Sequence, residues 1–190
     1  SQKFDVAGIN DIDELVVSNS IDAIYIATPH SSHFEYALQA IKNNKHVLCE
    51  KPIAMNHIES MVLFGLAKDC GVFLMEAYMY RTHPQTFNIL KNIDSLCNTN
   101  EKVEINSSFG FHADISKDHR LRNPILGGGA IMDVGCYPLS MSKLLAGRIL
   151  KKPYADPISI EASGNLDETG VDSNSKAHIL FSENIEANIS

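Results

Sequence analysis

The sequence predicts an α/β plus α+β protein in two parts, a parallel sheet with crossover helices followed by a part built on an open, mainly antiparallel sheet. Three observations predict it. Between residues 22 and 77, short apolar runs alternate with amphipathic segments, the order expected of β-α-β-α-β around a parallel sheet. Beyond residue 78, the runs "PISIEASGNL", "SKAHILFSE" and "NIEANIS" are joined by short polar turns, a pattern that reads as antiparallel strands. The composition, 44% hydrophobic and 21% charged over 190 residues, is that of a globular chain with one ordinary core or two small ones.

The elements follow in order. "DAIYIAT" (22–28) is a continuous apolar, β-branched run, as expected of a strand covered on both faces. Ser32 and Glu35 have the spacing of a capping box, and Phe34, Ala37, Leu38 and Ile41 then recur on one helix face. "HVLCE" (46–50) is the next strand. Asn56 and Glu59 repeat the cap pattern before a helix that Gly71 ends, and "GVFLMEA" (71–77) is the third strand. "RTHPQTFNILKNI" predicts a helix and "EKVEINSSFGFHA" a strand with polar alternation. "NPILGGGAIMDVGCYPLSMSKLLAG" (123–147) predicts a helix opened by a triple glycine and closed by Gly147. Asp133 and Tyr137, four apart, are expected on one face of it. Pro138 removes the bond to the carbonyl of Val134 and should bend the helix just past Tyr137.

Charge and hydropathy exclude several classes. Sixteen basic and twenty-three acidic residues give a net charge of -7 without a Lys/Arg cluster, which argues against a nucleic-acid partner. The apolar runs are far shorter than the roughly 20 residues of a membrane helix, and no signal pattern opens the chain; a cytoplasmic protein without a membrane partner is expected. Cys49, Cys70, Cys97 and Cys136 are widely spaced with no C-x-x-C pair and read as reduced thiols, mostly buried.

In parallel sheets ligands bind outside the carboxyl ends of the strands. Thr28, Pro29, Glu50, Lys51 and Glu76 fall at those ends. In "VLCEKPIA", Lys51 emerges from an apolar strand into the expected cleft, and Pro52 ends the pairing. His30 and His33 have no third ligand in sequence, so no metal site is expected.

Three stretches, "IDAIYIATPHSSHFEYALQAIKNNKHVLCEKPIA", "MEAYMYRTHP" and "GGGAIMDVGCYPLSMSKLLAG", in this order and at these separations, resemble the glucose-fructose oxidoreductase / inositol dehydrogenase / MocA family of NAD(P)-dependent oxidoreductases. The E-K-P followed by D-x-G-x-Y is most similar to the branch with dimeric dihydrodiol dehydrogenase; sugar-polyol members more often carry His in place of Tyr137. The resemblance implies a partial Rossmann-type domain over residues 1–78 and an incomplete substrate-binding and dimerisation domain over 79–190. It implies NAD or NADP as cofactor, a small sugar, polyol or diol as substrate, and a homo-oligomer when full length.

Carried over residue by residue, it makes Lys51 the lysine beside nicotinamide and substrate hydroxyl, Tyr137 the proton donor or acceptor, and Asp133 the residue that orients the site. Thr28, Pro29 and His33 resemble the family's T-P-x-x-x-H turn against the cofactor, and Glu50 its partner at the nicotinamide ribose. Arg81 and Arg120 match positions that face the cleft, Arg81 on the cofactor side and Arg120 on the substrate side. Tyrosine, with an ordinary pKa near 10, is a poor base at neutral pH unless a cation stabilises its phenolate, and Lys51 is expected to supply that cation from within about 6 Å. One departure stands out: no G-x-G-x-x-G occurs anywhere. The chain therefore reads as truncated at both ends, and the alternative to an enzyme is a non-catalytic binding or dimerisation module on the same scaffold.

Overall fold

The structure, a computed structural model, describes residues 8–96 and 101–190. Two compact units divide between Ala77 and Tyr78. Among the described residues no helix is long and apolar enough to cross a membrane.

The first unit runs α1 (Ile12–Val17), β1 (Ala23–Ile26), α2 (His30–Lys42), β2 (His46–Glu50), α3 (His57–Cys70) and β3 (Leu74–Ala77). The three strands form a parallel sheet in the order β1-β2-β3, with Ile24 opposite Val47 and Leu48 opposite Met75. Ile24, Ile26, Val47 and Cys49 are buried with Ala37, Ala40 and Ile41 of α2 and Leu63 and Ala67 of α3. The intervening residues are open, Tyr25 being 57% exposed and Leu48 39%. The expectation of a strand covered on both faces is thus corrected: within this chain one face is covered and the period-two alternation of β1 is real.

Local backbone chemistry accounts for the boundaries. Asn56 caps α3 by accepting the Glu59 amide (3.0 Å), and Glu59 Oε2 accepts the Met55 amide (3.0 Å), a reciprocal cap as expected. Gly71 ends α3 in the left-handed conformation, φ 69°. The capping box expected at Ser32 is not formed. Pro29 is the N-cap and α2 starts at His30, so Ser32 lies inside the first turn and its hydroxyl donates to Thr28 Oγ1 and Pro29 O. Lys45, only 8% exposed, donates to the carbonyls of Ser18 and Ile21, tying the entry of β2 to the loop before β1.

The second unit contains a short 3-10 turn (Met79–Thr82), α4 (Pro84–Leu96), β4 (Val103–Ser107), two further 3-10 turns (Arg120–Arg122 and Pro124–Leu126), a π-helical turn (Ile131–Gly135), α5 (Cys136–Ile149), β5 (Ser159–Leu166), β6 (Asp172–Ser182) and β7 (Ile185–Ile189). Its sheet has the order β4-β7-β6-β5. β5–β6 and β6–β7 pair antiparallel, while β4 joins β7 parallel. Helix α5 packs on β4 and β7, burying Ala146 and Ile149 with Ile105, Ile179, Ile185 and Ala187, and α4 packs on α5 with an Arg148–Asp94 ion pair between them.

The helix of 123–147 is therefore two pieces. Cys136 N–H reaches back five residues to Ile131 O, so the irregularity lies before Tyr137 and not beyond it. Pro138 falls in the first turn of α5, where a missing N–H costs little. Gly147 does not close the helix, which continues to Ile149. It is a point of close approach: a Cβ on Gly147 would stand 2.3 Å from Tyr154 Cα.

Cys49 is buried and Cys70 and Cys136 are partly buried, all three as free thiols; Cys97 lies outside the described residues. Burial, with the Glu76 and Glu50 carboxylates nearby, pushes the Cys49 thiol up to about 12.

A chain of charges links the 3-10 turn Arg120–Arg122 and the segment before it to the β5–β6 turn. Arg122 donates to Asp167 Oδ2 (2.8 Å), Glu168 Oε1 (3.1 Å) and Ile115 O (3.1 Å), and Lys117 pairs with Glu168 (2.7 Å). The Thr169 hydroxyl, then the Arg122 guanidinium, hold the Asp167 carboxyl down at about 2.

Two outcomes are expected. Gly147→Ala should destabilise the second unit by about 1–3 kcal/mol, the usual cost of overpacking, because the obstacle is backbone; a lowered denaturant midpoint with unchanged slope reads it, and an unchanged midpoint contradicts the close approach. Because the Asp167 carboxyl is depressed on folding, its stabilisation is fully present above the unfolded value near 4 and is lost as pH falls from about 4 to about 2. Asp167→Asn should flatten the fall of Tm over that window relative to the unsubstituted protein, and parallel Tm–pH curves would contradict the role.

Candidate functional site

In the first unit the sequence-predicted residues gather at the carboxyl edge of the sheet. Thr28 and Pro29 follow β1 and are exposed; Glu50 ends β2, Lys51 follows it, and both are half-buried. Tyr25 and Glu50 sit on neighbouring strands, and the Tyr25 hydroxyl donates a short hydrogen bond to the Glu50 carboxylate, which raises the phenol above its ordinary range.

The loop that carries Lys51 is held by its backbone. Its Lys51–Pro52 peptide is cis. His33 Nδ1 lies 2.7 Å from Pro52 O, and Nε2 lies 2.8 Å from Thr28 O, so one imidazole ties the turn after β1 to the turn after β2. On the next residue, Ile53 N–H donates to Glu76 Oε1 of β3 (2.9 Å). His33, expected against the cofactor, is fully buried with both ring nitrogens engaged by carbonyls. It reaches a ligand only through the two turns it joins. The His30 and His33 rings are 5.8 Å apart, and among the described residues no group of three or more His, Cys, Asp or Glu side chains is placed to hold a metal.

In the second unit, Asp133 and Tyr137 stand on either side of the junction between the π turn and α5. Four residues across a π turn are not the four residues of an α-helix, since the π register adds one residue to each turn. Asp133 is 14% exposed, has the Arg120 guanidinium 3.7 Å from its Oδ1, and lines a cavity of about 690 Å³ between the 108–115 segment, the π turn and the start of β6. Tyr137 is half-buried in a nest of rings: Phe109 at 5.3 Å, Tyr78 at 5.5 Å and Tyr80 at 6.1 Å between centroids. Edge-on packing of this kind fixes ring orientation. Arg81 donates to Ser140 Oγ (3.1 Å), which also accepts from the Tyr80 hydroxyl (2.8 Å), so the 3-10 turn is fastened to the first part of α5.

Sequence reasoning missed the supports. Tyr78, Tyr80 and Phe109 around Tyr137, Ser140 under Arg81, and Asp172 against the π turn carry no motif of their own. The available signal was the alternation Y-x-Y in "MEAYMYR" and the glycine run at 127–129, which demands a close neighbour without naming it.

A family described as oxidoreductases with an NAD-binding Rossmann fold matches residues 1–78. The D-xylose 1-dehydrogenase (NADP(+)) 2 of Haloferax volcanii is 38% identical over 133 residues, covering 70% of this chain and 40% of that protein. The trans-1,2-dihydrobenzene-1,2-diol dehydrogenase of Xenopus tropicalis is 33% identical over 178 residues, covering 94% of this chain and 51% of that protein. Among solved structures, a 3-ketoreductase from Actinomadura kijaniata in complex with NADP and TDP-benzene superposes with a TM-score of 0.80 at 26% identity, covering 99% of this chain and 55% of that one. The chain spans about half the length of the curated relatives it matches. With the parallel sheet, the mixed sheet and the three sequence stretches in the same order, the chain belongs to the glucose-fructose oxidoreductase / inositol dehydrogenase / MocA family of oxidoreductases.

Proposed function

We propose that the whole protein is an NAD(P)-dependent oxidoreductase that moves a hydride between a nicotinamide cofactor and the CH–OH group of a sugar, polyol or dihydrodiol. Residues 1–78 serve as the cofactor-binding part and 79–190 as part of the substrate-binding and dimerisation domain of a cytoplasmic homo-oligomer. The observation that carries the reading is the set of Thr28, Pro29, Glu50 and Lys51 at the carboxyl edge of one parallel sheet. Relatives named as xylose, dihydrodiol and inositol dehydrogenases support the substrate class.

The donor set fits a nicotinamide nucleotide. Thr28 and Pro29 offer an exposed turn, Glu50 a carboxylate suited to ribose hydroxyls, and Lys51 a cation with three donors. The cofactor, when bound, supplies or accepts the hydride. The chain's own residues handle the proton: the Tyr137 phenol exchanges it with the substrate hydroxyl, the Lys51 ammonium stabilises the phenolate, and Asp133, with Arg120 beside it, orients the substrate hydroxyl without transferring the proton. Arg81, fastened to Ser140, borders the cofactor side. Water exclusion around the phenol falls to Tyr78, Tyr80 and Phe109.

A panel of sugars, polyols and cyclic diols offered with NAD and with NADP to the whole protein tests the reading. One alcohol or more should reduce cofactor, and in that reaction Lys51→Ala and Tyr137→Phe should each lower kcat by roughly 10² to 10⁴, the usual share of an acid–base group. Tyr137→Phe should leave cofactor affinity nearly unchanged, because the phenol acts on the substrate. Near-normal turnover in Tyr137→Phe would show that the proton travels by another route.

A further inference from the structure

The last glycine of the run at 127–129 is explained by a neighbour much later in the chain. Gly129 has φ 118° and is buried, and a Cβ on it would stand 2.2 Å from Asp172 Oδ1. Gly128 has no room either, its Cβ position being 2.7 Å from Leu121 O. The space left by the absent side chain at 129 is therefore occupied by the carboxylate of Asp172, the first residue of β6. Asp172 Oδ2 accepts the Ile131 amide (2.8 Å) and the Ser175 hydroxyl (3.0 Å).

Ile131 opens the π turn, and Ala130, at its N-cap position, makes no side-chain cap bond. A helix start leaves amides unsatisfied, and a carboxylate is the group best suited to them by hydrogen bonding and by the sign of the helix dipole. Here the cap comes from a strand 41 residues later in the chain. The adjoining backbone is fixed from the other side, with Gly129 N–H on Leu121 O (2.9 Å) and Asp133 N–H on Gly129 O (3.1 Å). Held at both ends, the segment from Gly129 to Ile131 sets the register of the turn from which Asp133 and Tyr137 project.

We propose that Asp172 is a positioning residue for the proposed hydride-transfer reaction: by capping the π turn in the space that Gly129 leaves, it holds Asp133 and Tyr137 in the orientation the proton transfer needs. The inference rests on the functional reading given above. It explains why residue 129 is a glycine and why the cap is a carboxylate on β6. Asp172 also lines the cavity beside Asp133, so a positioning role and direct contact with a ligand must be separated by experiment.

The test uses the whole protein with Asp172→Ala, Asp172→Asn and Gly129→Ala, measuring amide hydrogen exchange over 131–135 together with kcat and KM for an alcohol substrate. Asp172→Ala should speed exchange at the Ile131 and Asp133 amides by roughly tenfold or more. It should lower kcat by roughly tenfold to a hundredfold, the scale on which small misplacement acts, with KM within about twofold of the unsubstituted value. Asp172→Asn, whose amide oxygen accepts the same bond, should recover most of both losses. Gly129→Ala, which displaces the carboxylate by its own methyl group, should reproduce the Asp172→Ala pattern. A raised KM with unchanged kcat overturns the proposal in favour of ligand contact. Unchanged exchange and kcat in Asp172→Ala, or an Asn variant as impaired as the Ala variant, overturns it as well. If the unsubstituted protein transfers hydride with no alcohol, the functional reading fails, and with it the catalytic half of the proposal; the exchange measurement then still decides whether Asp172 holds the turn.

Discussion

A backbone amide or carbonyl buried at the end of an element must find a partner, because leaving one unmade costs about 1–3 kcal/mol. In this chain the partners at the candidate site are buried or half-buried side chains from distant parts of the same unit. His33 takes the carbonyls of Thr28 and Pro52, Glu76 takes the Ile53 amide, and Asp172 takes the Ile131 amide. Each bond lies one or two residues from a position that must be aimed. The catalytic candidates themselves are therefore free to be chosen for chemistry, since their backbones are set by other residues.

The candidate residues of each unit are held in a different way. Lys51 projects from a loop whose flanking carbonyl and amide are both engaged, which limits the ammonium to the reach of its own stem. Tyr137 is held differently, by three rings around it. Aromatic neighbours set edge-on to a ring fix its orientation, which is what the proton exchange proposed for this phenol requires.

Much of the first unit was legible because its signals are local. The alternation of strand and helix over 22–77, the Asn56–Glu59 cap and the left-handed Gly71 all depend on residues within a few positions of each other. The failures share a cause as well. Ser32 fits a cap motif, yet Pro29 starts α2 earlier; Gly147 fits a helix stop, yet it is reserved for contact with Tyr154. The parallel pairing of β4 with β7 joins residues about eighty positions apart, and the period of neither strand announces its partner. Strand-end logic nominated Thr28, Pro29, Glu50 and Lys51 from the sequence alone, and the structure places them at the carboxyl edge of the first sheet; the resemblance nominated Asp133 and Tyr137 in the second unit. His33 was expected against the cofactor, and its ring is engaged by two carbonyls; a pattern of residue types does not tell a side chain facing a ligand from one facing the backbone. Asp172 had no signal of its own, since a cap borrowed from another strand leaves its trace only in the glycine that makes room for it.

The coupling of Lys51 to Tyr137 is the claim on which the functional reading turns, and a double-mutant cycle in kcat measures it most directly. If the lysine acts by making the phenol ionisable, Lys51→Ala combined with Tyr137→Phe should turn over about as fast as the poorer single variant, because removing the hydroxyl costs little once the cation is gone. If the two losses multiply, the groups act independently, and a proton route that runs through a lysine-stabilised phenolate is contradicted.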